Sequence, residues 1–204
     1  MADNRKFLIV GLGNSEAKYE GTRHNIGFEV VVALAKNLEA SFSQDRFAYT
    51  ARARHKGKQI IMILPTTFMN LSGKAVRYWL DSENIEIENM IVITDDIDLP
   101  VGTIRIKSKG GGGSHNGLNH IIETLGHQNF PRLRFGIGKD YPKGFQIDYV
   151  LGRFSKEDLE VVNPAIERCT EAIYSFVNNG IAQTMNHFNT NPSINNKEEF
   201  HEKP

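Results

Sequence analysis

The chain of 204 residues holds one cysteine, Cys169, which rules out an internal disulfide framework and fits a reducing compartment. It has no surplus of either charge: Lys plus Arg and Asp plus Glu are 24 each. A global basic field is therefore excluded, and any surface for a polyanion has to be local. Long apolar runs are missing as well. MADNRKFLIVGLGN is apolar only over 6–10 and stops at Gly11, too short for a signal-peptide core or a membrane span. There is no internal repeat. Two phosphate-binding signatures are also absent. GLGNSE places Glu16 where G-x-G-x-x-G needs its third glycine, and G-x-x-x-x-G-K-[ST] occurs nowhere. A cytosolic protein without a dinucleotide loop is expected.

What is present alternates between two periods. KFLIV (6–10) and NMIVIT (89–94) read as strands buried on both faces. Ile26, Val30, Leu34 and Leu38 recur every four residues and form one helix face. FAYTARARH and KQIIMIL flank Lys56-Gly57 and predict a hairpin. Further helices are predicted over 72–80, 117–125 (ending at Gly126), 155–178 and 180–188, and further strands over 103–107 and 132–137. Ser155-x-x-Asp158 resembles a capping box. The order predicts one α/β domain over 1–189, with a central mixed, mostly parallel sheet flanked by helices, and a polar tail over 190–204.

In such sheets ligands gather at the carboxyl ends of the strands. Asn14 comes just after the strand at 6–10, Asn70 soon after the one ending at 64, and Asp95 directly after the one ending at 94. His24 and Asn116 lie near helix starts. These five polar groups, distant in sequence, can meet at one rim. Each also has a plainer reading. Asn14 forms a turn. Asn70 competes with Thr67 and Ser72 to cap a helix. KGGGGSHNG (109–117) either brings backbone amides close to a phosphate or ribose, or is a loop capped by Ser114 or Asn116, with His115 not singled out by its neighbours. Asp95, Asp96 and Asp98 can bind Mg²⁺ or orient a histidine, and spacing does not choose among them. Phe68 is either core or a surface on which a nucleobase stacks. Basic residues two apart share a strand face: Arg105, Lys107 and Lys109; Arg132 and Arg134; Arg52 and Arg54. Such rows suit an RNA backbone or a solvated face. Cys169 sits with Ile166 and Ile173 at helical spacing and reads as core.

Six segments together resemble the bacterial-type peptidyl-tRNA hydrolases: FLIVGLGN, Y-x-x-T-R-H-N-x-G (19–27), PTTFMNLSGKAV (65–76), D-x-D-L-P-x-G (96–102), GGGG-x-HNGL (110–118) and RLRFGIG (132–138). They spread in order over about two thirds of the chain. The resemblance implies hydrolysis of the ester between a peptide and the 3′ end of tRNA, without metal or cofactor, by a cytoplasmic monomer. It implies His24 as the general base, Asp95 as its supporting carboxylate, and Asn14 as the residue that separates blocked from free aminoacyl-tRNA. It further places Tyr19, Phe68, Asn70 and Asn116 on the tRNA 3′ end and the peptide, and Lys107, Arg134 and more weakly Lys143 on tRNA phosphates. Two departures stand out. Family members often have Asn-Pro-Gly where this chain has Asn14-Ser15-Glu16, and a histidine where Gly112 stands. A helix start would lower the pKa of His24 and Asp95 would raise it; sequence leaves the net sign open.

Overall fold

The computed structural model describes residues 5–190. The tail expected over 190–204 lies outside them beyond Thr190. Seven strands form one sheet in the order β2-β3-β4-β1-β5-β7-β6: β1 (Lys6–Gly11), β2 (Ser43–Asp45), β3 (Ala48–His55), β4 (Lys58–Pro65), β5 (Met90–Asp96), β6 (Ile104–Lys107) and β7 (Arg132–Gly136). The four central strands, β4, β1, β5 and β7, run parallel. The outer pairs are antiparallel, as the hairpin at Lys56-Gly57 requires. This is the expected mixed, mostly parallel α/β sheet.

Both faces of the central strands are covered, which is why they read as continuous apolar runs. Ile9, Ile91 and Ile93 face one core beneath α1 (Ile26–Asn37), α5 (Lys156–Asn179) and α6 (Ile181–Phe188). Their neighbours Leu8, Val10 and Val92 face a second core beneath α2 (Ser72–Glu83) and α3 (Asn116–Leu125). The predicted capping box at Ser155 and Asp158 is present at the start of α5. Cys169 is fully buried in the first core, and burial pushes its thiol far above the usual range. None of the described helices is long and apolar enough to cross a membrane.

Three elements differ from expectation. β5 runs on through Asp95 and Asp96, because its parallel register with β7 continues to Phe135 and Gly136; Asp95 lies within the strand, not after it. β2 is a three-residue exposed edge strand with no apolar signal. A short helix, α4 (Gln146–Val150), fills what reads as a loop; five residues are too few to show a helical period.

Candidate active site

From β1 the chain moves through α1 to one side of the sheet and returns through α2 to place β5 on the other side. The carboxyl ends of β4, β1 and β5 therefore border a crevice where side chains from separate elements meet. His24 reaches it from a single turn of 3-10 helix (Arg23–Asn25) that runs into α1. The close approach of α1 to the sheet needs two glycines. A Cβ on Gly27 would stand 2.5 Å from the Leu12 carbonyl oxygen and 2.6 Å from that of Ile93, and one on Gly11 would stand 2.4 Å from the Gly27 carbonyl oxygen.

At this distance the His24 Nδ1 lies 2.9 and 3.0 Å from the two carboxylate oxygens of Asp95. The proton is therefore on Nδ1, which donates to the carboxylate, and the Nε2 lone pair has no partner among the described residues. Asp95 carries a second histidine. His115 Nε2 lies 2.9 Å from Asp95 Oδ1, while its Nδ1 accepts the Leu118 backbone N–H at 3.2 Å. That acceptor role puts the His115 proton on Nε2, so it also donates to Asp95. His115, and neither Ser114 nor Asn116, is thus the N-cap of α3. In the sequence His115 is a candidate second base that its neighbours do not single out, and histidine is not among the usual capping residues.

The electrostatics follow from the contacts. Burial alone would push the Asp95 carboxyl up, but the His115 and then the His24 ring outweigh it and hold the group far below the usual carboxylate range. Burial pulls the His24 pKa down, while the hydrogen bond to Asp95 and its charge pull it up and win. The net position is above the ordinary 6.5.

His24, Asp95, His115, Asn116 and Arg134 all line one cleft of about 130 Å³, together with Gly111, Gly112 and Gly113. Asn14 is beside it. The Asn25 side chain accepts the Asn14 N–H at 2.8 Å and donates to the Asn14 carbonyl at 3.0 Å. This two-point grip by the residue next to His24 fixes Asn14 ahead of the Ser15-Glu16 departure. Asn25 thus ties the His24 turn to the end of the loop after β1. Phe68 and Asn70 lie on and beside the 3-10 turn Met69–Leu71, which packs on the start of α3 through Met69 and Gly117. Both are exposed, and neither lines the cleft of His24. The side-chain amides of Asn14, Asn70 and Asn116 have no hydrogen bond among the described residues, so none acts as a helix cap. Tyr19 is half-buried on the 3-10 turn Ala17–Tyr19, outside that cleft. Lys107 and Lys143 are exposed and also outside it.

The basic rows do not form one track. Arg52 and Arg54 are on β3, at the opposite end of the sheet from β6 and β7, and Arg52 pairs with Glu83 at 2.6 Å. Arg105 and Lys107 are exposed beside Arg134 and Arg132 across the antiparallel register. Arg132, however, is 1% exposed, because β7 is interior to the sheet and the glycine-rich loop closes over it. Its guanidinium donates to the carbonyls of Gly110, Gly111, Gln128 and Phe130 and lies 4.1 Å from the Phe130 ring centroid. Burial, then the charge of Arg134, push it down to about 10. Arg132 therefore shapes the loop from behind and does not reach RNA. Arg132→Met keeps the apolar stem but leaves these carbonyls without their donor. It is expected to reduce the unfolding free energy by about 2–4 kcal/mol in urea titrations, and a loss below about 1 kcal/mol would contradict this role. The Gly112 departure has a local reason too. A Cβ there would stand 2.2 Å from Asn119 Oδ1, and Asn119 Nδ2 is bonded to the Gly113 carbonyl at 2.9 Å.

The three aspartates point to three different partners, which removes the Mg²⁺ cluster. Asp95 takes the histidines, Asp96 pairs with Arg134 at 2.5 Å, and Asp98 lies 3.7 Å from Lys139. Among the described residues, His24, Asp95 and His115 do have metal-ligand spacing, with donor atoms within 4.8 Å. Their facing nitrogens already donate to the carboxylate between them, so an ion would have to displace both protons. Arg23 gains no chemical role. It donates to the Tyr149 carbonyl at 3.3 Å, lies 3.4 Å from Asp158 and stacks on Tyr149, tying the His24 turn to α4 and α5.

The sequence model of the peptidyl-tRNA hydrolases matches residues 8–198. The chain belongs to the peptidyl-tRNA hydrolase family. A peptidyl-tRNA hydrolase of Bacteroides fragilis is 53% identical over 184 residues, covering 90% of this chain and 98% of its own. One from Cytophaga hutchinsonii is 48% identical over 185 residues, covering 91% and 98%. The crystal structure of peptidyl-tRNA hydrolase from Acinetobacter baumannii superposes with a TM-score of 0.87 at 33% identity, over 93% of this chain and 97% of that one. The family assignment thus agrees with the reading of the six segments, and the α/β fold with the reading of the element order.

Proposed function

We propose that the protein hydrolyses the ester between a peptide, or an N-blocked aminoacyl group, and the 3′ end of tRNA, with His24 as the general base. The observation that carries this reading is the His24–Asp95 pair, which leaves a histidine Nε2 lone pair free in a cleft that also holds Asn116 and Arg134. An ester needs no better nucleophile than water once a base takes its proton, and such a base is worth ~10²–10⁴-fold. In this scheme Nε2 takes a proton from water as it attacks the carbonyl carbon. Asp95 stabilises the imidazolium that forms, and the proton then goes to the leaving ribose oxygen. The unpartnered amide of Asn116, in the same cleft, donates to the developing oxyanion; one such donor contributes ~3 kcal/mol. Asn70, exposed on the turn Met69–Leu71 outside that cleft, offers a second unpartnered amide to the bound substrate. The chemistry as proposed uses no metal or cofactor.

Asn14 supplies the discrimination. Its backbone is held by Asn25, so its side-chain amide is left to pair with a neutral peptide group as both donor and acceptor. A free α-ammonium only donates, and would leave the Asn14 N–H₂ unpaired. Tyr19 and Phe68 fit the 3′ end, with Phe68, 71% exposed, available to stack on a base. Lys107 and Arg134, with Lys143 further out, suit phosphates. We propose a monomer, since the scheme draws on this chain alone, and a cytoplasmic protein, in keeping with a tRNA substrate.

The test is release of peptide by the purified protein from N-acetyl-aminoacyl-tRNA and from the same tRNA carrying a free amino group. The blocked form should be cleaved and the free form spared. Equal cleavage of both, or of neither, would overturn the reading.

A further inference from the structure

Asp95 and Asp96 are consecutive in β5, so their side chains leave opposite faces of the sheet. Asp95 is taken by the histidines. Asp96 shares a face with Thr94, and the register that sets Thr94 beside Arg134 brings Asp96 diagonally against Arg134 on that face. Asp96 is 6% exposed. Its Oδ1 accepts the Asp98 N–H at 2.9 Å; its buried Oδ2 has no aligned hydrogen bond among the described residues and is paired by charge with Arg134 Nη2 at 2.5 Å. Arg134 Nε and Nη1 have no partner among the described residues. Both side chains line the cleft of His24. Of the four basic residues on this part of the sheet, Arg132 is consumed by carbonyls, and Arg105 and Lys107 are exposed with no carboxylate partner among the described residues. Arg134 alone of the four is held by a buried carboxylate.

We infer that Asp96 is a positioning residue for tRNA: it anchors one arm of Arg134 so that the remaining guanidinium N–H groups meet an RNA phosphate in a fixed orientation. The two neighbouring aspartates then divide the work of one strand end, Asp95 serving the chemistry and Asp96 the grip on RNA. A free arginine gives up rotamer freedom when it binds a phosphate, whereas one already fixed by Asp96 has little left to lose. The inference rests on the tRNA-binding part of the proposed function, and on Arg134 contributing to it.

The experiment is equilibrium binding of deacylated tRNA over a range of salt concentrations to the parent, Asp96→Asn, Arg134→Ala and the double variant. Asparagine keeps the oxygen that accepts the Asp98 N–H, so the fold is preserved, which thermal melting checks. Arg134→Ala should weaken binding about tenfold and reduce the salt slope by about 1. Asp96→Asn should weaken it about fivefold, as expected for loss of an anchor worth less than the phosphate contact itself. The double variant should bind no more weakly than Arg134→Ala, and kcat of Asp96→Asn should stay within about twofold of the parent, because its effect is on grip and not on the base. Parental or tighter binding by Asp96→Asn overturns the inference, as do independent effects that multiply in the double variant. Parental binding by Arg134→Ala overturns it together with the role given to Arg134. If the binding pattern holds but blocked aminoacyl-tRNA is not cleaved, the hydrolase reading fails and the positioning role stands.

Discussion

His24→Ala lowers the single-turnover rate of peptide release from N-acetyl-aminoacyl-tRNA by about 10²–10⁴-fold, the range expected for removing a general base. The fold survives the change. The imidazole is at the rim of the sheet, and Asp95 keeps the N–H of His115 after it is gone, so the loss of stability should not exceed about 1–2 kcal/mol. Binding of tRNA should be unaltered, since no phosphate contact is removed. Turnover within about threefold of the parent would show that the proton goes elsewhere.

Asp95→Asn has an effect of the same order through a different route. Asparagine keeps the shape of the carboxylate but exchanges one acceptor for an N–H₂ donor. Its remaining oxygen is claimed by His115, whose tautomer is set by the Leu118 N–H at its other nitrogen. His24 Nδ1 then faces a donor, becomes an acceptor itself, and carries its proton on Nε2. The lone pair that should meet the water is gone. Steady-state kinetics should show kcat lower by ~10²–10⁴-fold with KM little changed. A large rise in KM at constant kcat would mean that Asp95 serves binding instead.

The parts of the molecule legible in the sequence are those with a periodic signal or a local rule. Ile9 and Val10 belong to different cores, yet the run around them reads as a strand buried on both faces. Ser155 and Asp158 mark the start of α5 by capping chemistry, and a helical pattern follows. His24, Asp95 and Asn116 could be gathered to one cleft because the carboxyl ends of parallel strands share an edge; Asn14 and Asn70, expected with them, lie outside it. What stayed hidden depends on contacts across the fold. Nothing near His115 in sequence says that it donates to Asp95, twenty residues earlier. The three aspartates at 95, 96 and 98 are equivalent by spacing, and only strand alternation, together with the position of β7 next to β5, divides them between histidine and arginine. Arg132 and Arg134 have the same alternation, but the loop of glycines covers one and leaves the other in the cleft. α4 is too short to display a period, so the wall it gives the cleft through Ile147 and Val150 was not foreseen.

The most direct measurement is the pH dependence of single-turnover ester hydrolysis by the parent and by His24→Ala, each corrected for the reaction without protein. The base works only when unprotonated, and Asp95 raises its pKa, so the parental rate should climb with pH through one ionisation centred above 6.5 and then level off. In His24→Ala that ionisation should vanish along with the rate. The same rise persisting in His24→Ala, or a parental midpoint below 6.5, would contradict a His24 base tuned by Asp95.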